Sequence, residues 1–406
     1  MKSNLIIDAP AALLRPEAAL LLSCARRPTA EVSSTPVMAL LQTDLDWDYL
    51  LQLAARHGLI PLLYTHLSQL GAGRVPKPVL AKLWAGYELN ARHSQFLAEE
   101  LAELLHLLES SGIRALPYKG PVLARLLYGH VALRHAGDLD ILVSRADALR
   151  ARELITGRGY RSTRSLTPGQ ATAYLHGQRY YHFELVHPTH ELLVELHWRI
   201  GHDLFSVATD RLFEGTELAA SGLDQSAPRL LSPEVLLLVL AIHGSRHHWQ
   251  RLIWLVDLAE LIRGNPGLDW PRALNLARSF KCERMLFFGL SLARTLLDLR
   301  LPASVAAAIE REPIITTLAA AARRPLFTEV EQPLTNDEEL YFEFNLLTHW
   351  TQRLRYSFDL FMGPTFEDWT RWSLPASLSF LYYPLRLVRL ASKHTLKRFS
   401  KHLYQA

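Results

Sequence analysis

Two aspartates separated by one apolar residue lie in an otherwise apolar segment, DLDILV, residues 138–143. In an extended strand successive side chains alternate between two faces, so Asp138 and Asp140 are expected to share one face and Leu139 the other. Two carboxylates in this arrangement can bind a pair of Mg²⁺ ions about 3.5–4 Å apart, as phosphoryl and nucleotidyl transfer require. The alternative is a chance D-x-D at the exposed end of a strand, because motifs this short have many false positives.

A turn suited to phosphate binding precedes the two aspartates. The apolar run at residues 113–118 predicts a strand, and Pro121 predicts a helix that starts directly after Lys119 and Gly120. The start of a helix offers free N–H groups and the positive end of the helix dipole, and Lys119 would add a point charge. In the alternative interpretation Gly120 only makes the turn.

The segment KGPVLARLLYGHVALRHAGDLDILV, residues 119–143, resembles a bacterial family of uncharacterised nucleotidyltransferases in the DNA polymerase β superfamily. The resemblance covers most of the chain from about residue 44 onward and includes VELHW at residues 194–198. It implies an α+β fold, in which a nucleotidyltransferase-type mixed β-sheet lies between N-terminal and C-terminal helical regions. The motif residues are Lys119, Gly120, Tyr128, Arg134, Asp138 and Asp140.

The resemblance also implies a third metal-binding carboxylate on a later strand, which matches Glu195. The segment HELLVELHW alternates Leu193, Glu195 and His197 with apolar residues, as a strand with one polar face would. Glu191 is the rival, but it lies near the turn of the predicted hairpin. Asp138, Asp140 and Glu195 are therefore the predicted catalytic and metal-binding residues.

Lys119, Gly120 and Arg134 are the residues of this segment that the resemblance assigns to nucleotide binding. The chain departs from the wider superfamily at Pro121, where serine or glycine usually follows the turn glycine. Proline supplies neither N–H nor hydroxyl, so Lys119 or Arg134 would replace one phosphate donor. Arg134 either clamps a phosphate or neutralises the carboxylates, and the sequence leaves both roles open.

A second constellation lies in the helical half of the chain. His243 and His247 are four residues apart and so share one helix face. The H-E-x-x-H pattern of zinc hydrolases is absent, which argues against a metal site of that kind. Residues of this type occur in the helical part of the resembled family, so His243 and Asp257 are candidate nucleotide-binding residues. The alternative is that they pack and cap helices.

The predicted units are an N-terminal helical region, a catalytic core, a C-terminal helical region and a basic tail, at residues 1–112, 113–200, 201–380 and 381–406. The chain has 406 residues, of which 49% are hydrophobic and 21% charged, as is usual for a globular protein with substantial cores. Its two cysteines show no metal-ligand spacing, the start is not typical of a signal peptide, and no apolar run reaches about 18 residues. A cytoplasmic location is expected.

The tail from residue 382 onward carries Arg386, Arg389, Lys393 and further basic residues between apolar ones. It could contact an anionic membrane surface or an acidic partner, or form a terminal helix whose apolar face docks on the protein. The net charge of only +4 does not suggest a nucleic-acid partner.

The expected function is metal-dependent nucleotidyl transfer with two Mg²⁺ ions, or Mn²⁺ in their place. An NTP, with ATP as the expected donor, would transfer NMP to the hydroxyl or phosphate of a protein or peptide, a metabolite or a sugar phosphate. Two alternatives stay open. The chain could be a nucleotide-binding scaffold that has lost turnover, or a kinase-type enzyme that transfers the terminal phosphate.

Overall fold

The computed structural model describes residues 14–28, 34–70, 73–177, 180–201, 207–208, 212, 216–218, 229–329, 334–372 and 374–390. Its N-terminal part is helical: α1 is Pro16–Cys24, α2 Thr35–Leu40, α3 Trp47–Arg56, α4 Ile60–Leu70 and α5 Lys77–Ser110. Asp46 caps α3 by accepting a hydrogen bond from the Tyr49 N–H group. Helix α5 is 34 residues long and ends just before Gly112, whose φ of +74° favours glycine.

A five-stranded mixed sheet follows. Its strands are β1 (Ala115–Pro117), β2 (Asp138–Val143), β3 (Arg161–Ser162), β4 (His182–His187) and β5 (Leu192–His197). The spatial order is β1-β2-β5-β4-β3, in which β2 and β5 run parallel and the other neighbours antiparallel. Helices α6 (Gly120–Tyr128), α7 (Ala148–Gly157) and α8 (Pro168–His176) lie between the strands in sequence. The predicted α+β fold is confirmed.

One face of this sheet is apolar. Leu139 and Ile141 of β2 join Val194 and Leu196 of β5 in a buried cluster. The C-terminal half of α5 and helix α7 cover them, with Leu104, Leu108, Ala151 and Ile155. The strands therefore direct alternate residues to this apolar face, as predicted from their pattern, and Asp138, Asp140 and Glu195 lie on the other face.

The rest of the described chain is mainly helical. Short strands β6 (Arg199–Ile200), β7 (Val207–Ala208), β8 (Thr216–Leu218) and β9 (Arg229–Leu231) precede the C-terminal helices. Helices follow: α9 Pro233–Arg246, α10 Leu252–Gly264, α11 Trp270–Ser279, α12 Glu283–Leu297, α13 Ala303–Glu310, α14 Pro313–Arg323, α15 Asn336–Leu346, α16 Trp350–Met362 and α17 Phe366–Arg371. None of the described helices is both long and apolar enough to span a membrane.

The two helical regions share one hydrophobic core. Leu20 and Leu50 from the N-terminal helices lie in the same buried cluster as Leu237 of α9 and Leu258 of α10. Leu142 of β2 joins this cluster from the polar face of the sheet. The C-terminal helices are thereby held against the face that carries Asp138 and Asp140.

The described part of the basic tail is docked on the protein. Residues 382–390 are helical, and the side chains of Arg386 and Arg389 are buried and ion-paired with Asp368. Arg386 also donates hydrogen bonds to the carbonyl oxygens of Leu360 and Phe361 at the end of α16. Lys393 and the basic residues after it lie outside the described residues.

Candidate active site

The three predicted carboxylates lie together on the polar face of the sheet. The parallel register of β2 and β5 pairs Asp140 with Glu195, and Asp138 lies two residues before Asp140 on the same face. One oxygen from each of Asp138, Asp140 and Glu195 lies within 4.8 Å of the others. Glu191, the rival third acid, is at the β4–β5 turn and exposed. The geometry therefore brings Asp138, Asp140 and Glu195 into one cluster.

Asp140 is the most enclosed of the three, with only 2% of its surface exposed. Its Oδ2 atom is buried and has no hydrogen-bond partner among the described residues. A buried carboxylate oxygen without a partner carries a large desolvation cost. Hard oxygen ligands with an unsatisfied atom are what a Mg²⁺ or Mn²⁺ ion binds, so the three residues fit such an ion.

Lys119 contacts this cluster directly. Its Nζ lies 2.7 Å from Asp140 Oδ1 and 3.3 Å from His243 Nδ1. Burial disfavours the charged form of Lys119, but the carboxylates of Asp140, Asp138 and Glu195 outweigh it and raise the pKa of the ammonium. Lys119 is therefore a fixed positive charge at the acids.

The environment separates the pKa values of the carboxylates. Burial and the charge of Asp140 raise the pKa of Asp138 to about 6. Burial acts in the same direction on Asp140, but Lys119 and a hydrogen bond from His197 hold the pKa of that carboxyl well below its usual range. His197 also lowers the pKa of Glu195 against the effect of burial. Asp140 and Glu195 are thus ionised and Asp138 is the easiest of the three to protonate.

Gly120 places the start of α6 against β2. Its φ is +61°, and a Cβ atom at this position would lie 3.2 Å from the carbonyl oxygen of Asp138. Both the backbone conformation and the close approach favour glycine. The predicted order of a strand, a glycine turn and a helix is confirmed by β1, Gly120 and α6. Helix α6 begins at Gly120 itself.

Two histidines that were not selected from the sequence lie beside the acids. The antiparallel register of β4 and β5 places His182 opposite His197 and Glu184 opposite Glu195. His197 Nε2 lies 3.1 Å from both Asp140 Oδ1 and Glu195 Oε2. The signal was present in the sequence, because H-x-E at residues 182–184 and E-x-H at residues 195–197 mirror each other across the predicted hairpin.

Part of the cavity wall is aromatic. A cavity of about 420 Å³ is lined by the three acids, by residues of α9 and by the start of α10. The Trp254 ring lies 5.2 Å from the His243 ring and 5.1 Å from the His247 ring, and Arg246 stacks over Tyr181 at 4.3 Å. Burial, Lys119 and His247 together lower the pKa of His243 well below its usual value, so the ring is neutral.

Arg134 and Asp257, two of the predicted nucleotide-binding residues, bind each other. Arg134 donates from Nε and Nη2 to the two carboxylate oxygens of Asp257 at 2.9–3.1 Å. Tyr128 donates to Asp257 Oδ1 at 2.8 Å. Arg134 lies at the cavity wall, whereas Asp257, only 1% exposed, is not among the cavity-lining residues. The pair joins the loop before β2 to helix α10.

Comparison with known proteins gives one match. No curated protein and no solved structure matches the chain. Residues 43–298 match the model of a family described as an uncharacterised nucleotidyltransferase, a range that includes the whole of the sheet, the carboxylate cluster and the aromatic wall. Because this match spans well over half of the 406 residues, the chain belongs to that nucleotidyltransferase family.

Proposed function

We propose that the protein is a metal-dependent transferase of the DNA polymerase β type that moves NMP, with ATP as the donor, to a hydroxyl or phosphate acceptor. The acceptor oxygen would attack the α-phosphorus in line, forming a new P–O bond, and pyrophosphate would leave. Family membership supports nucleotidyl transfer in general. The choice of ATP rests on its abundance alone. A protein or peptide, a metabolite and a sugar phosphate are the acceptor classes.

The observation that carries this proposal is the cluster of Asp138, Asp140 and Glu195. Parallel pairing of β2 with β5 is required to place Glu195 beside Asp140, since the two are far apart in sequence. Their oxygen atoms lie within 4.8 Å of one another at one edge of a cavity large enough for a nucleotide's phosphates. Three neighbouring carboxylates, one of which has a buried oxygen without a partner, lower the stability of the fold, and a bound cation would offset this cost.

Asp138, Asp140 and Glu195 would hold Mg²⁺, or Mn²⁺ in its place. When bound, such ions activate the attacking oxygen and stabilise the charge on the leaving group. The protein's own groups supply the rest. Lys119 would neutralise phosphate charge, and the N–H groups at the start of α6 would face the phosphates because Gly120 lets the backbone approach β2.

The aromatic wall would hold the base of the nucleotide. Trp254, His243 and His247 pack against one another and line the same cavity as the acids. Bases stack on aromatic side chains with little sequence preference. Arg134 would act as a positioning residue. Its guanidinium is bound to Asp257, and this ion pair would keep the loop before Asp138 in place.

One observation favours a second candidate function, a nucleotide-binding scaffold without turnover. Lys119 Nζ forms a 2.7 Å ion pair with Asp140 Oδ1, which places an ammonium where it competes with a metal ion. Pro121 also removes one N–H group from the usual phosphate-binding turn. A scaffold of this kind would bind nucleotide without any requirement for Mg²⁺.

Thermal unfolding with each NTP, with and without Mg²⁺, tests the proposal. We expect one NTP to raise the Tm only when Mg²⁺ is present, and we expect the Asp138→Asn, Asp140→Asn double variant to lose this shift. Asp48→Asn is the matched control, because Asp48 is exposed and does not line the cavity. A shift that needs neither Mg²⁺ nor the aspartates would support the scaffold instead.

Product analysis separates nucleotidyl transfer from kinase-type transfer. Labelled ATP is incubated with the protein and, in turn, with protein and small-molecule fractions of a cell extract. The proposal requires label at the α-phosphate to enter the acceptor and label at the γ-phosphate to appear in pyrophosphate. Entry of the γ-label into the acceptor would instead establish terminal-phosphate transfer.

A further inference from the structure

The β4–β5 hairpin carries a second group of potential metal ligands next to the three acids. His182 and Glu184 on β4 lie opposite His197 and Glu195 on β5, and the period of a strand keeps all four on one face. Two imidazoles and two carboxylates thus form a two-by-two block. Its Glu195 corner is also part of the Asp138–Asp140–Glu195 cluster.

The hydrogen bonds within this block are incomplete. His197 Nε2 lies 3.1 Å from an oxygen of Asp140 and 3.1 Å from an oxygen of Glu195, although a ring nitrogen carries at most one hydrogen. The Nδ1 atoms of His182 and His197 are buried and have no hydrogen-bond partner in the described part of the chain. The close polar contacts in this block therefore outnumber the hydrogen bonds that its N–H groups can form.

The spacing suits one metal ion. A ligand atom from each of His182, Glu195 and His197 lies within 4.8 Å of the others, and His182 Nε2 is 3.9 Å from Glu195 Oε1. Metal–nitrogen and metal–oxygen bonds are about 2.0–2.2 Å, so two ligands of one ion are separated by at most about 4.4 Å. Small side-chain movements would bring all three atoms into a first coordination shell.

The ligand types select the class of ion. Mg²⁺ prefers oxygen ligands, whereas imidazole favours Zn²⁺ and other divalent transition metals. We propose that His182, His197 and Glu195 bind a divalent transition-metal ion beside the carboxylate cluster. Two imidazoles and one carboxylate are a ligand set typical of Zn²⁺. Glu195 is then shared between an imidazole-rich site and an oxygen-only site.

The surroundings hold these ligands in place. Glu184 lies 3.2 Å from His182 Nε2 and is itself bonded by Thr163 and Arg164. The ring of Tyr118 meets the His197 ring edge-on at 5.5 Å, and Tyr181 stacks on it at 5.9 Å. These contacts restrict the orientation of the two imidazole rings, and the Nδ1 atoms are left to carry the ring hydrogen when Nε2 binds the metal.

Zinc binding and X-ray absorption test the proposal on the full-length protein. The protein is stripped of metal, titrated with Zn²⁺ by calorimetry in excess Mg²⁺, and its zinc absorption edge is then measured. We expect one site that Mg²⁺ does not displace, with scattering from two imidazole rings. His182→Gln and His197→Gln should each weaken Zn²⁺ binding more than about 100-fold, since loss of outer-shell partners alone costs about 10- to 100-fold.

The control is His190→Gln, which makes the same change on the same hairpin at an exposed position. It should leave Zn²⁺ affinity unchanged. A zinc shell of oxygen atoms only in the wild type, or equal affinity in all three variants, would overturn the proposal. The absorption spectrum of the wild type decides the question even where a variant folds poorly.

This inference shares Glu195 with the proposed transferase site but does not depend on transfer. Asp138→Asn separates the two: it should remove the Mg²⁺-dependent response to nucleotide and leave Zn²⁺ binding intact. Zinc binding by a wild-type protein that shows no response to any nucleotide would leave the metal site standing and reject the proposed function. Loss of Zn²⁺ binding in Asp138→Asn would reject a separate histidine site.

Discussion

The Arg134 guanidinium and the Asp257 carboxylate form a buried ion pair across 123 residues of sequence. Two guanidinium nitrogens face two carboxylate oxygens, so the pair is bidentate, and Tyr128 adds a third hydrogen bond to Asp257. The Asp257 carboxylate raises the pKa of Arg134 despite the opposing effect of burial. The pair fixes the loop that leads into Asp138 against helix α10.

Removing one partner of this pair should destabilise the protein strongly. We expect Asp257→Asn to lower the free energy of unfolding by about 3–5 kcal/mol, because it leaves a buried guanidinium without its charge partner. Denaturant unfolding measures the change, with exposed Asp48→Asn as the control. The double variant Arg134→Met, Asp257→Leu should recover much of the loss. An Asp257→Asn variant as stable as the control would show that the pair is not needed for folding.

Alanine at position 120 should disturb both the fold and the site. Gly120→Ala introduces a side chain at a φ of +61° and 3.2 Å from the Asp138 carbonyl oxygen. The left-handed backbone conformation alone costs about 1–2 kcal/mol, and the contact would push α6 away from β2. We expect a lower Tm and weaker nucleotide binding. Gly157→Ala is the control because its Cβ would meet open space and the residue does not line the cavity, and equal effects of both changes would contradict this account.

The aromatic wall should contribute to nucleotide affinity through stacking. Trp254→Leu removes the ring that packs against His243 and His247 while keeping an apolar side chain. Loss of a base–aromatic stack costs about 1–3 kcal/mol, so the Kd for nucleotide should rise roughly 5- to 150-fold. Calorimetric titration measures it. Trp84→Leu changes a half-exposed tryptophan on α5 and should leave the Kd unchanged. An unchanged Kd in Trp254→Leu would place the base elsewhere.

His57 should make the fold sensitive to mild acid. It is fully buried, accepts a hydrogen bond from the Leu252 N–H group at Nδ1, and lies 2.8 Å from the Leu326 carbonyl oxygen through Nε2. Burial lowers its pKa to about 4, whereas an unfolded histidine titrates near 6.5. Between these pH values the unfolded chain binds more protons than the folded protein. The contribution of neutral His57 to stability is therefore complete above about pH 6.5 and is lost as the pH falls toward 4.

The size of this effect follows from the shift. A lowering from 6.5 to about 4 corresponds to roughly 3 kcal/mol. His57→Gln keeps a donor and an acceptor but does not titrate, so its free energy of unfolding should fall less between pH 7 and pH 4.5 than that of the wild type. His190→Gln, at an exposed position, should follow the wild type. A parallel pH dependence in His57→Gln and the wild type would reject the assignment.

The parts of the site that depend on local geometry can be predicted from the sequence. Strand periodicity places Asp138 and Asp140 on one face and buries Leu139, because alternation requires no knowledge of neighbouring strands. The turn at Gly120 and the helix that follows are likewise local, since a glycine and a proline at the first helical positions specify them. The resemblance of the motif added Glu195, and residues 43–298 match the family it pointed to.

Contacts between residues that are distant in sequence depend on how the strands and helices pack. Parallel pairing sets Glu195 beside Asp140, and antiparallel pairing sets His182 beside His197, because register depends on contacts between strands rather than on spacing along one strand. Arg134 and Asp257 were both selected from the sequence, but nothing in it indicated that they bind each other. Packing of α10 against the loop before β2 creates that pair, since a buried charge needs a partner that the packed core itself supplies.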